Sequence, residues 1–513
     1  MKNRIIKLTG LSLLSLAIAG CNTSSDFSNP VGESSHSSGS ADFTTFVTIG
    51  DSLTAGYSDG ALYLDGQNNS YPAILAQQFA KVGGGNFNQP LVSDNHGGLL
   101  KDGTILVIDT DEPDQFSNRY VLNAEPKNPP TNLDPKGPER LDTTDYPPTT
   151  EVNNRLTGSF NNMGVPGAKS FHLGVPGLGN NAGVSAGLAN PYYSRFASSD
   201  ASSMIADAAV QQPSFFIMWA GNNDVLSYAT AGGVGVNQVG NADPATYGSN
   251  DITDPGYFGG VYNNLVAAFT SANAAAKGML VNIPDIGTIP YFTTVPYNAV
   301  PLDQATADAL NAGFAAYNAG VAAYLAGNQT EAALRTISFS AGQNAVLILD
   351  EDLTDLTGFN AALINMRQAT MDDLLLLTAS SKIGTAAPST KLWGITEPLQ
   401  DGDVLIPSEI QAIETARVAF NIHIKNAADG DANLIFFDAA AVMNELSTTG
   451  IAFGSGYIDN TYASGGAFSL DGVHPTARGY AVLSNRMIDT INSELGATIP
   501  PVDPGTYGTI YVK

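Results

Sequence analysis

Short apolar runs that end in turn residues alternate along the chain with segments of helical periodicity, the pattern that parallel βα units produce. The runs lie at 43–49, 215–219, 279–283 and 434–437, and a weaker fifth lies at 160–163. Between and after them the spacing predicts helices over 71–79, 261–276, 306–325, 408–426 and 477–495, the fourth with Ser408 as its N-cap. In the third, Leu310, Phe314, Tyr317, Val321 and Tyr324 recur at steps of three and four and make one apolar stripe. The expected fold is a three-layer α/β/α domain, with helices on both faces of a mainly parallel five-stranded sheet.

Two stretches interrupt this alternation. Residues 84–155 carry a predicted hairpin, 104–109 against 119–123, followed by a proline-rich stretch at 125–150. Residues 340–400 carry a predicted strand at 345–349 and a short apolar helix at 371–377. Both read as insertions in one domain spanning 43–498, with 499–513 as a C-terminal tail, because the motifs on either side of them belong to one site.

The N-terminus has a different grammar. Lys2, Arg4 and Lys7 precede an apolar run from Leu8 to Ala19, and Ile18-Ala19-Gly20-Cys21 follows. A basic start, a short apolar stretch and small residues before a cysteine form a secretory signal over 1–20, too short for an ordinary spanning helix. The tetrapeptide resembles a bacterial lipobox, which implies lipidation of Cys21, the chain's single cysteine. A lipid anchor of several acyl chains would hold the protein at a membrane. Asn22 after the cysteine resembles outer-membrane sorting, so the expected location is the cell envelope. The Ser/Gly/Asn-rich residues 21–42 read as a flexible tether. One cysteine excludes an internal disulfide, and the net charge of −26 makes nucleic acid an unfit partner.

Candidate chemistry clusters where the predicted strands end. Gly50-Asp51-Ser52-Leu53 follows the first strand, placing a serine hydroxyl on a tight turn at the carboxyl edge of the sheet, where open α/β folds bind ligands. A serine nucleophile needs a base, and the base needs an orienting acceptor. Of the five histidines, His36 lies in the tether, and His423 lies inside a helix between Ile422 and Ile424 as a packing residue. His474 lies in Asp471-Gly472-Val473-His474, with Asp471 three residues upstream on the same loop. Donors for an oxyanion are available in Gly221-Asn222-Asn223-Asp224 after the third strand and in Gly164-Val165-Pro166-Gly167 after the weak second one.

In these four blocks, and in their order, the sequence resembles the SGNH (GDSL) hydrolases. The resemblance implies Ser52 as nucleophile, His474 as base, Asp471 as its orienting acid, and an oxyanion hole from the N–H groups of Ser52 and Gly167 with the Asn223 side chain. It implies a carboxylic ester hydrolase working through an acyl-serine, with no metal and no organic cofactor, on a small-molecule or lipid ester. A carbohydrate O-acetyl esterase would use the same triad, and a non-catalytic surface binding lipoprotein would keep the fold without the chemistry.

Around the site, Tyr57, Leu62, Tyr63, Tyr291 and Phe292 are candidate pocket residues. The loops 54–69 and 231–256 leave the sheet at its carboxyl edge and are expected to shape the pocket. The insertion at 84–155 leaves from a helix end on the far edge and is expected to serve stability or partner contact. Asp109, Asp111, Glu112 and Asp114 lack the ligand spacing of a calcium loop and read as a solvated acidic turn.

Overall fold

In the computed structural model the described residues are 36–110, 114–123, 137–454 and 456–512. The expected signal segment, Cys21, most of the expected tether, Asp111, Glu112 and the first part of the proline-rich stretch lie outside them. Five strands form the central sheet: β1 (Phe46–Gly50), β2 (Asn162–Gly164), β3 (Phe215–Trp219), β4 (Lys277–Val281) and β5 (Leu434–Phe437). Their order is β5-β4-β3-β1-β2, and every neighbouring pair is parallel. Because a parallel sheet is covered on both faces, its strands read as unbroken apolar runs. Phe215, Ile217 and Trp219 face one core, and Phe216 and Met218 face the other.

Helices complete the layers. α1 (Ser52–Ala55) follows β1, α2 (Tyr71–Phe79) comes after a short helical turn at Leu64–Asn68, and α3 (Asn223–Thr230) follows β3. α4 (Pro255–Ala272), α5 (Gln304–Tyr324), α6 (Pro407–Asp429) and α7 (Ala477–Leu495) are the long ones. Ile74 and Leu75 of α2 pack with Met487, Ile488 and Ile491 of α7 on one face of the sheet. Tyr262, Leu265 and Phe269 of α4 pack with Ile413, Phe420 and Ile424 of α6 on the other.

Several boundaries differ from the sequence expectation. α4 starts earlier, at Pro255, because Asp254 caps it by accepting from the Tyr257 N–H at 2.7 Å and proline suits the first helical position. α6 is not capped by Ser408: Pro407 opens it, and Glu409 reaches back to accept the Ile406 N–H at 2.8 Å. Residues 36–42, expected to belong to the tether, are instead held against the domain: His36 Nδ1 lies 3.0 Å from the Thr498 carbonyl and the Ser40 N–H donates to the Leu495 carbonyl. The C-terminal tail is likewise packed, with Ile499 buried and the Leu122 N–H donating to Tyr511.

The first insertion pairs in a different register from the predicted hairpin. Leu100–Lys101 pairs with Thr104–Ile105 around Asp102-Gly103, both at positive φ, and Tyr120–Asn123 pairs with Gly137–Arg140. An Asp-Gly turn is the strongest local signal for a two-residue hairpin, and here it sets the pairing.

The second insertion is larger than 340–400. α5 does not cover the sheet; Tyr317 and Val321 pack against Ile337, Phe339, Leu347 and Leu363 in a separate core. A neighbouring core gathers Val300, Val346, Ile348, Leu375, Leu399 and Ile406. The predicted helix at 371–377 is instead the short strand Leu374–Leu375, paired with Val404–Leu405, followed by a turn. Asp373 accepts from the Thr370 N–H at 2.6 Å and from both Arg367 terminal nitrogens, a local alternative to helical pairing.

Arg335 holds this inserted layer together from inside. It is fully buried and donates to the carbonyls of Thr354, Leu363 and Ile364. Arg335→Ala strands the Thr354 and Leu363 carbonyls, removes the cation beside Glu331 and leaves a void, so the layer should lose about 3–5 kcal/mol. Hydrogen exchange should accelerate across 295–406 while β1, β3 and β4 stay protected.

Candidate active site

β1 delivers Ser52 through a turn that only glycine permits at Gly50, where a Cβ would stand 2.3 Å from the Trp219 carbonyl oxygen. Asp51 caps α1 by accepting the Leu53 N–H at 3.0 Å, and it accepts from Asn222 Nδ2 at 2.8 Å. Burial pushes its carboxyl up to about 6. Ser52 is the first residue of α1, so its N–H has no acceptor within the helix. Its Oγ lies 2.9 Å from His474 Nε2, and His474 Nδ1 lies 2.9 Å from Asp471 Oδ2.

Asp471 is surrounded by donors. Oδ1 accepts from the N–H groups of Val473 and His474 and from Ser469 Oγ, and Oδ2 accepts the Gly60 N–H at 2.9 Å. Burial alone would raise its carboxyl, but the imidazole and these bonds outweigh it and hold it down at about 2.

Next to Gly60, Asp59 fastens the same loop. It is buried at positive φ, accepts from the Leu470 N–H and the Tyr63 hydroxyl, and its own N–H donates to Ser469 Oγ. Burial pushes Asp59 up to about 6. Neither Asp59 nor Gly60 belongs to a motif that sequence reading picks out, because their partners on the 469–471 loop lie more than four hundred positions away.

The candidate oxyanion donors come from β2 and β3. Asn223 opens α3 and donates one amide hydrogen to the Ala168 carbonyl at 3.0 Å. Gly167 has φ +77° and open space where a Cβ would stand. Gly164 is committed elsewhere: its N–H donates to Asn162 Oδ1, and a Cβ there would meet Ala55 N at 2.2 Å. Asp224, the last residue of the Gly221–Asp224 block, accepts both the N–H and the hydroxyl of Ser170 at 2.7 Å and so ties the Gly167 loop to α3.

Ser52, Gly167, Asn223 and His474 line one cavity of about 480 Å³, within the size range of small-molecule sites. Its apolar wall is Tyr57, Ile108, Phe116, Leu178, Tyr192, Met204 and Leu226. Tyr57 lines the cavity, its ring 4.7 Å from the His474 ring. Leu62 and Tyr63 are buried outside the cavity, Tyr63 serving Asp59 instead. Tyr291 and Phe292 also stand outside it: the Tyr291 N–H donates to the Gly472 carbonyl behind the His474 loop, and Phe292 is core.

The 54–69 loop contributes Tyr57 to the cavity, but the other two segments exchange the places expected of them. Ile108, Gln115 and Phe116 of the first insertion line the cavity, and no residue of 231–256 does. The insertion returns to the carboxyl edge because the Tyr120 N–H donates to the Asp59 carbonyl at 2.7 Å. The 231–256 segment braces the Gly167 loop from behind, where the Asp251 backbone carbonyl accepts from Lys169 Nζ at 2.6 Å and the Thr253 N–H donates to the Asp224 backbone carbonyl.

Among the other histidines, His172 lines the cavity wall, its ring Nδ1 accepting the Lys169 N–H; burial brings its pKa down to about 4. His423 packs on α4 against Gly259, and His96 bonds the Pro147 carbonyl. Asp109 and Asp114 are exposed. Among the described residues one group of acidic side chains brings ligand atoms close together, Glu351, Asp401 and Glu409, and none of the three lines this cavity.

No protein-family model, no curated protein and no solved structure matches this chain.

The depressed pKa of Asp471 sets a sign for acid stability. Its ionised form is favoured by folding, so the contribution is fully present above the ordinary carboxylate value and is lost as pH falls through about 2. Asp471→Asn should therefore be less stable than the parent at pH 6 by about 2 kcal/mol, with the gap closing between pH 4 and pH 2. Urea midpoints at the two ends of that window measure it.

Proposed function

We propose that this protein is a serine ester hydrolase of the SGNH kind, acting through an acyl-serine intermediate. The observation that carries the reading is the Ser52–His474–Asp471 hydrogen-bond chain opening into a cavity that Gly167 and Asn223 also line. His474 takes the Ser52 proton as Oγ attacks the ester carbonyl, and Asp471 holds the imidazole with Nε2 facing the serine. The oxyanion is received by the N–H groups of Ser52 and Gly167 and by the second amide hydrogen of Asn223, whose first is spent on Ala168. Collapse expels the alcohol with the proton from His474. Water then attacks the acyl-serine by the same route in reverse. The apolar wall favours an acyl group longer than acetyl over an acetylated glycan.

Ser52→Ala should abolish hydrolysis of p-nitrophenyl butyrate and covalent labelling by an organophosphonate while leaving the fold intact. Asn223→Ala should lower kcat by about 10²–10³ with little change in KM, because its donor acts mainly when the oxyanion forms. Near-parental turnover in Ser52→Ala would overturn the assignment.

Attachment to the outer membrane through lipid on Cys21 is a companion proposal, supported by the Ile18-Ala19-Gly20-Cys21 sequence and Asn22. No helix among the described residues is long and apolar enough to cross a membrane. Cys21→Ser should move the protein from the membrane fraction to the soluble fraction after a carbonate wash; retention would refute the lipid anchor.

A further inference from the structure

The second insertion meets α3 and α6 at a cluster of acid groups that the ester chemistry does not use. Glu351, Asp401 and Glu409 each bring a carboxylate oxygen within 4.8 Å of the other two. Glu409 is only 5% exposed. One of its oxygens accepts the Ile406 N–H, whereas Oε1 is buried with no N–H or hydroxyl donor beside it, and burial next to the Glu351 and Asp401 carboxylates pushes the group up to about 9. A buried carboxylate oxygen left unpaired beside two further carboxylates is costly, because each charge raises the price of the others.

The backbone around the cluster is built for close approach. Gly232 and Gly233, just after α3, have φ of +67° and +84°. A Cβ on Gly233 would stand 1.5 Å from Glu409 Oε1, and one on Gly232 would stand 2.5 Å from the Asp401 carbonyl oxygen. Only a glycine pair lets this turn close over the carboxylates.

Hard divalent cations take oxygen ligands at about 2.0–2.6 Å, so oxygens sharing one ion lie at most about 5 Å apart. The three carboxylates meet that condition, and a cation would satisfy Oε1 and cancel their repulsion together. We propose that Glu351, Asp401 and Glu409 bind one hard divalent cation of the calcium or magnesium type. Glu351, on the exposed side, leaves room for water to complete the ligand shell. The ion joins two loops of the second insertion to the start of α6, beside the turn that ends α3. Since α3 begins at Asn223, the ion steadies the helix that presents a cavity residue without touching the cavity.

The test uses the full chain stripped with EDTA and desalted, then titrated with calcium and, separately, magnesium by calorimetry and thermal unfolding. One equivalent should bind, and Tm should rise by at least about 3 °C at about 1 mM of the preferred ion. Glu409→Gln should lose both effects; Asp401→Asn carries the same test should Glu409→Gln fail to fold. Absence of binding in the parent protein, or an undiminished Tm rise in the folded variant, overturns the site. So does a metal-free protein that ignores both ions and gains its stability on acidification, since the carboxylates then share a proton.

Discussion

One oxygen of Asp471 holds the site together. It accepts both the His474 imidazole and the Gly60 N–H, and so joins the loop after β1 to a loop near the end of the chain, 411 positions away. Neither loop lies in the sheet, so strand pairing alone would leave Ser52 and His474 free to separate. Asp59 repeats the join one residue earlier by accepting the Leu470 N–H. Two adjacent residues thus clasp the 469–474 loop, and the 2.9 Å contact from Ser52 to His474 follows from that clasp.

The same clasp explains where the first insertion goes. Tyr120 donates to Asp59, Arg140 donates to Asn118 beside it, and Arg119 stacks over both Tyr63 and Tyr511. A segment that leaves α2 on the far side of the sheet is thereby drawn to the carboxyl edge, where Ile108 and Phe116 become cavity wall. The second insertion behaves differently, since α5 and its neighbours bury their apolar faces in cores of their own. One insertion shapes the cavity, and the other builds an added layer.

The parts legible in the sequence were those encoded by contiguous residues. Apolar runs located all five central strands to within a few residues, and α2 and α7 have the expected bounds. Gly50-Asp51-Ser52 and Asp471 to His474 marked residues that are in hydrogen-bond contact. What could not be read depends on which surface a segment meets. The stripe on α5 reports that a face is buried but not against what, and no local signal ties Tyr120 to Asp59. The cavity wall at Leu178, Tyr192 and Met204 is of that kind too. The Asp102-Gly103 hairpin was the exception, a local signal outweighed by a longer apolar pattern.

Four buried aspartates surround the site, and their carboxyls do not respond alike. Asp51, Asp59 and Asp224 are all raised, because their hydrogen bonds, even with Arg119 near Asp59 and Lys169 near Asp224, do not outweigh the loss of water around a charge. Asp471 is slightly more exposed and falls to about 2, because the imidazole opposite it and the surrounding donors favour its charged form. Folding therefore works against the charge at the first three and for it at the fourth. As pH drops through about 6 the cost at Asp51 and Asp59 is relieved, while the contribution of Asp471 persists until about 2. The carboxylate that stays ionised throughout mild acid is the one facing the histidine, which is where a charge must persist if His474 is to accept a proton from Ser52.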